Sequence, residues 1–202
     1  MINLIRFIVF IFIITLSLSL KASEASNWLK QEVDKILIAY QDPNLPNENR
    51  FLLIEQTINN NFPGKSIAIN IAKQSYKNAK EETRNEYINL FKRHLALNIA
   101  SLMQGYSNQK YKLTDARYDE KNKVNYIDME VYLDTGEMIV TWRVLKHKER
   151  YFVIDLIISG ISLYETKRSE FNSMLKNVDN DLAKLNEELY KKNESSYQKI
   201  IN

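Results

Sequence analysis

The chain has 202 residues, 28 Lys and Arg against 25 Asp and Glu, and a formal net charge of +3. That is one domain's length with enough apolar content for a core. The charge is too small and too evenly spread for a nucleic-acid binder, which carries a basic stripe or a pI above ~9. There is no cysteine, which excludes disulfide staples, thiolate metal sites, a cysteine nucleophile and a cysteine-linked lipid anchor.

The N-terminus has Arg6, a largely apolar stretch from Phe7 to Leu20, and then small residues. This is the three-part pattern of a cleavable secretory signal. Cleavage after Ala25 places Ser23 and Ala25 at −3 and −1, whereas cleavage after Ala22 places Leu20 at −3. An uncleaved anchor is the alternative, but the stretch is short of the ~20 residues a span needs. The expected layout is a signal peptide over 1–25 and one domain over 26–202. Removing 1–25 leaves 26 basic and 24 acidic residues, and the mature chain is expected free in a periplasm.

From Asn27 to Tyr40, apolar residues recur at three and four, so a helix is expected. Pro43 and Pro46 break the pattern. A second helix carries Phe51, Leu52, Ile54, Ile58 and Phe62 and stops at Pro63-Gly64. Ile67, Ile71 and Ala72 begin a third, short helix. The longest stripe follows, through Tyr87, Phe91, Leu95, Ile99 and Leu102, with Gly105 as a stop signal. His94 is expected at its core edge. This helical part covers about 27–106.

Beyond residue 108 the period falls to two. An exposed strand is expected over 110–118. In "VNYIDMEVYLD", Ile127, Met129, Val131 and Leu133 alternate with polar partners. Asp134-Thr135-Gly136-Glu137 forms a turn, and "MIVTWRVL" returns with Val140, Trp142 and Val144 on one face. "YFVIDLII" completes a sheet over about 110–159, apolar on both faces. Helices return over about 162–192; the last carries Leu182, Leu185 and Leu189, and the charged tail beyond Lys191 is expected to fray. Helices followed by an antiparallel meander describe an α+β domain.

Reaction chemistry is scarce. Asp134-Thr135-Gly136 spells the aspartic-protease triplet, but turn chemistry accounts for it. Ser162 follows a strand and Gly160, yet Tyr164 replaces the second glycine of a nucleophile elbow. With Glu165, Ser162 instead reads as a capping box. His94 and His147 have no metal-binding spacing, and four glycines exclude a dinucleotide fingerprint. Asp155 lies in an apolar strand and reads as a buried hydrogen-bond acceptor. No catalytic residue, metal ligand or cofactor is expected.

The stretch Tyr151, Asp155, Gly160-Ile161-Ser162-Leu163, continued by Arg168 and Phe171, resembles the most typical segment of the MlaC family of periplasmic phospholipid carriers. Phe62, Ala68, Tyr76, Tyr87, Phe91 and Leu95 fall at family spacing, and Gly136 and Trp142 fit its hairpin. The resemblance runs from about Trp28 to Leu189. It departs at Pro63, where the family has Asp, at Ala72-Lys73, where it has Leu-Gly, and at Ile99, where it has Tyr.

The resemblance implies an α+β fold with a curved antiparallel sheet, a cone-shaped, nuclear-transport-factor-like roll, whose helices enclose an apolar cavity. It implies a monomeric carrier of phospholipid acyl chains between an outer-membrane lipoprotein complex and an inner-membrane ABC transporter complex. The expected lining is Leu95, Ile99, Leu102 and Met103 of the long helix, Met129, Val131, Val140, Trp142 and Val144 of the sheet, and Ile161. For each, plain core packing is the alternative. Alternatives for the function are a carrier of another apolar molecule such as a hopanoid, and a non-catalytic envelope adaptor without ligand.

Overall fold

Six helices and five strands make up the described residues of the computed structural model, which covers residues 2–106 and 108–202, with side chains from Lys21 onward. The fold is α+β, as the change of period implies. The apolar stretch of the expected signal peptide lies outside the residues whose side chains are described. Among the described residues, no helix is long and apolar enough to cross a membrane. By its contacts the chain divides into a sheet unit, residues 1–33 and 109–162, and a helical unit, residues 34–108 and 163–202.

In the helical unit, helix α1 (Ile2–Gln41) contributes its last turns. Helices α2 (Asn47–Asn61), α3 (Gly64–Asn78), α4 (Glu81–Met103), α5 (Leu163–Asn177) and α6 (Leu182–Ile201) complete it. Phe51, Ile54, Tyr87, Phe91, Phe171, Leu185 and Leu189 form its core. Tyr87, Phe91 and Phe171 meet at ring-centroid distances of 5.0–6.4 Å, the tilted and edge-to-face range in which aromatic quadrupoles attract.

One expectation is extended here and another changes. The short third helix is followed directly by a further helical turn: α3 runs 15 residues in all, interrupted at Lys73, whose φ of 39° and ψ of −102° are not helical. The tail does not fray, since α6 continues through Asn193, Tyr197 and Ile200. Those residues prolong the stripe of Leu182, Leu185 and Leu189 at helical spacing, with Asn193 wholly buried and Ile200 nearly so. Tyr197 packs on Phe51 at 5.1 Å, and the Arg93 guanidinium lies over both rings. A polar member at Asn193 conceals the stripe from a hydrophobicity pattern.

In the sheet unit, β1 (Tyr111–Asp119), β2 (Val124–Leu133), β3 (Gly136–His147), β4 (Arg150–Ile158) and β5 (Ile161–Ser162) form an antiparallel meander in sequence order. Bulges at Thr114 and Ile154 interrupt the β1–β2 and β3–β4 ladders and bend the strands that carry them. The chain does not pass from β4 straight into a helix. Ser159 (φ 49°) and Gly160 (φ 84°) form a two-residue turn, and Ile161 pairs back with Ile158. Two positive φ values in succession make the type I′ geometry that suits the twist of a hairpin, and glycine adopts it without strain.

Residues 21–33 of α1 belong with the sheet. Ala22, Ala25 and Leu29, at helical spacing, are at most 3% exposed. Around them Tyr151 donates to Glu24 at 3.1 Å and stacks with Trp28 at 5.5 Å. Lys146 also pairs with Glu24, at 3.6 Å, and Lys21 reaches Glu120 at 3.7 Å.

Candidate functional site

Alternation along β2 and β3 sorts their side chains onto two chemically distinct faces. Tyr126 opposes Arg143 and Asp128 opposes Thr141 on one face. There Arg117 binds Asp128 at 3.0 Å and Asp115 at 3.1 Å, and Thr141 donates to Asp128 at 2.6 Å. The Arg117 and Arg143 guanidinium groups both lie over the Tyr126 ring. These charges satisfy one another.

The opposite face is apolar. Ile127 opposes Trp142, Met129 opposes Val140, and Val131 opposes Met138; on β4, Leu156 opposes Trp142 and Ile158 opposes Val140. Ile127, Met129, Val140 and Val144 are buried, and Val131 and Trp142 half-buried. The five sheet residues expected in the lining therefore share one surface, as the period of two requires.

The other expected lining residues fall differently. Leu95 is buried in the core of the helical unit, and Ile99 and Met103 pack against that core. Leu102 is 59% exposed and Ile161 68% exposed. Helical spacing identifies a stripe, but residues at its margin turn outward on either side.

Sequence reasoning missed Asn125, which opposes Val144 on the apolar face and is 2% exposed. Its signal was its position: it occupies the same parity as Ile127, Met129 and Val131, where every other β2 side chain is apolar. Its amide nitrogen donates to the Val144 carbonyl at 3.3 Å.

Asp155 is the buried acceptor that its surroundings implied. Its carboxylate accepts from the Leu156 amide at 2.8 Å and the Ser162 hydroxyl at 2.7 Å, and Arg143 approaches to 3.5 Å. The Ser162 hydroxyl thus donates to a carboxylate, and Glu165, its expected capping partner, also binds Arg168 at 3.0 Å. His147 lies exposed at the end of β3, and His94 lies in the helical unit.

His94 is fully inside the bundle rather than at its edge. Its Nδ1 is 3.0 Å from Asn193 Oδ1, and its Nε2 is 3.9 Å from Glu170. Glu170 accepts from Lys167 at 2.7 Å and also from Lys192. Burial, reinforced by Lys167, lowers the His94 pKa to about 4. Burial tends to raise that of Glu170, but the two lysines outweigh it and bring the value to about 2. A neutral imidazole beside a doubly paired carboxylate holds α4, α5 and α6 together. Among the described residues, no three His, Cys, Asp or Glu cluster in a way that could hold a metal ion. A cleft of about 560 Å³ beside the α3 break, lined by Ile71, Lys73, Ser75, Asn172 and Leu175, is open and mixed in polarity, unlike an acyl-chain site.

Comparison with known proteins agrees with this geometry. The model of the family described as MlaC protein matches residues 30–191. The solved structure of the phospholipid-binding protein from Ralstonia solanacearum, in complex with a phospholipid, is similar in fold, with a TM-score of 0.73. It is 21% identical, and the likeness covers 86% of this chain and 98% of that one. No curated protein sequence matches.

Proposed function

The chain belongs to the MlaC family, and from that premise we propose that it is a periplasmic carrier of phospholipid. In this reading it is exported by the N-terminal signal, acts without catalysis, and moves lipid between an outer-membrane lipoprotein complex and an inner-membrane ABC transporter complex. The observation that carries the reading is the apolar sheet face of Ile127, Met129, Val140, Trp142 and Val144, set in a protein of this family. The lining on the sheet includes Val131 and, at the β5 turn, Ile161.

The physical need is plain. Each methylene in water costs about 0.8 kcal/mol, so a two-chain lipid with on the order of 30 methylenes faces about 20 kcal/mol in free transfer. Apolar side chains remove that cost without a reactive group.

Native mass spectrometry of protein purified from a bacterium without detergent tests the proposal. The expected result is near-stoichiometric phospholipid in the wild type. Val140→Glu, which puts a charge on the apolar face, is expected to lower occupancy severalfold while the chain stays folded. Consistently lipid-free wild-type protein overturns the carrier and favours an adaptor, and unchanged occupancy in the variant overturns the choice of sheet face.

A further inference from the structure

Two buried polar atoms interrupt the apolar face of the sheet. The indole nitrogen of Trp142 and the amide oxygen of Asn125 are enclosed and have no hydrogen-bond partner among the described residues. The Asn125 orientation follows from its nitrogen, which donates to the Val144 carbonyl; the oxygen is the free end. Asn125 opposes Val144 and Trp142 opposes Ile127, so the two are diagonal neighbours on one face. Their side chains then start about 7 Å apart, within reach of one small group.

An unpaired buried polar group is costly because it has given up its water without a replacement partner, and two on one apolar face are uncommon in native proteins. They are complementary: Trp142 can only donate and Asn125 Oδ1 can only accept. One group satisfies both if it accepts and donates at the same atom, and a hydroxyl does so. An ester carbonyl or ether oxygen accepts from Trp142 but leaves Asn125 unpaired. We propose that Trp142 and Asn125 form a hydrogen-bonding subsite for a hydroxyl group of an acyl lipid, set within the apolar face. The proposal rests on the lipid-carrier reading and adds a preference to it: the subsite favours lipids that carry a hydroxyl near their chains.

The hydroxyl has two sources, a free glycerol hydroxyl in a monoacyl phospholipid or a hydroxyl on the acyl chain. Displacement of a fluorescent fatty acid from delipidated protein tests both. One arm compares monoacyl phosphatidylethanolamine with its 2-deoxy counterpart, the other 3-hydroxymyristate with myristate. The hydroxylated member of at least one pair is expected to bind about tenfold more tightly, because its analogue leaves the buried groups unpaired. The arm showing the preference identifies the source. Trp142→Phe keeps the ring and removes the donor, and is expected to reduce the preference, read as the affinity ratio within each pair, to about twofold or less. Asn125→Leu, which removes the acceptor, is the second variant and should give the same loss.

Equal binding within both pairs overturns the subsite and leaves the carrier standing. So does a preference that survives both variants, or a crystal structure in which water alone bridges the two atoms in the lipid complex. Failure of every lipid to displace the probe overturns the carrier and the subsite together.

Discussion

Lys73 shows how much one residue's backbone can cost. Its φ of 39° and ψ of −102° lie where only glycine is comfortable. In the resembled family a glycine stands at this place. A bulky residue in such a conformation costs about 1–3 kcal/mol, offset in part by glycine's greater entropy loss on folding. Lys73 is exposed, so its side chain adds little packing. Lys73→Gly is therefore expected to stabilise the chain by about 1 kcal/mol, read as a higher urea midpoint at unchanged slope. A lower midpoint would mean that the lysine side chain contributes more than the strain removes. Sequence reading located the departure at Ala72-Lys73 but not its consequence, because a run of good helix formers gives no sign of a break. Asp155 was legible for the opposite reason. A lone carboxylate in an apolar strand needs partners, although only tertiary structure names them as Leu156, Ser162 and Arg143.

At the scale of elements, the period of two identified four strands and their faces, and the hairpin geometry followed. The two-residue β5 was hidden because it is shorter than any periodic signal, and the α6 extension because Asn193 breaks the hydrophobic stripe. The start of the mature chain belongs to this scale too. Residues 21–33 pack with the sheet: Ala25 is wholly buried, and Glu24 accepts from Tyr151 and pairs with Lys146. Cleavage after Ala25 discards these contacts, while cleavage after Ala22 keeps Glu24 and Ala25 on the sheet. The intact mass of protein recovered from a periplasmic extract is expected to correspond to a chain beginning at Ser23. A mass beginning at Ser26 would show that the sheet does without this turn of α1. Small residues at −3 and −1 favour the later cleavage point; the packing favours the earlier one.

At the scale of the whole molecule, α1, the sheet and the five later helices were legible as classes. The assignment of α1's residues 21–33 to the sheet was not, since spacing cannot say which neighbour covers a stripe. Stability as a function of pH depends on the buried network of the helical unit. His94 faces Asn193 and Lys192 of α6, and Lys167, Glu170 and Phe171 of α5. Its pKa falls from 6.5 to about 4 on folding, so between those values the unfolded chain binds a proton that the folded chain does not. Stability therefore rises with pH across that window and is lost as pH falls from about 6.5 toward 4, by about 3 kcal/mol. Glu170, brought from 4.5 to about 2 by its lysines, acts in the same direction lower down: its contribution is present above 4.5 and disappears as pH falls toward 2. The unfolding free energy measured by urea at pH 7, 5.5 and 4 is expected to decline throughout. His94→Gln removes the upper titration while leaving a polar group beside Asn193, and should flatten the decline between pH 6.5 and 4.5. An equally steep decline in that variant would assign the acid sensitivity to other groups and leave His94 as packing alone.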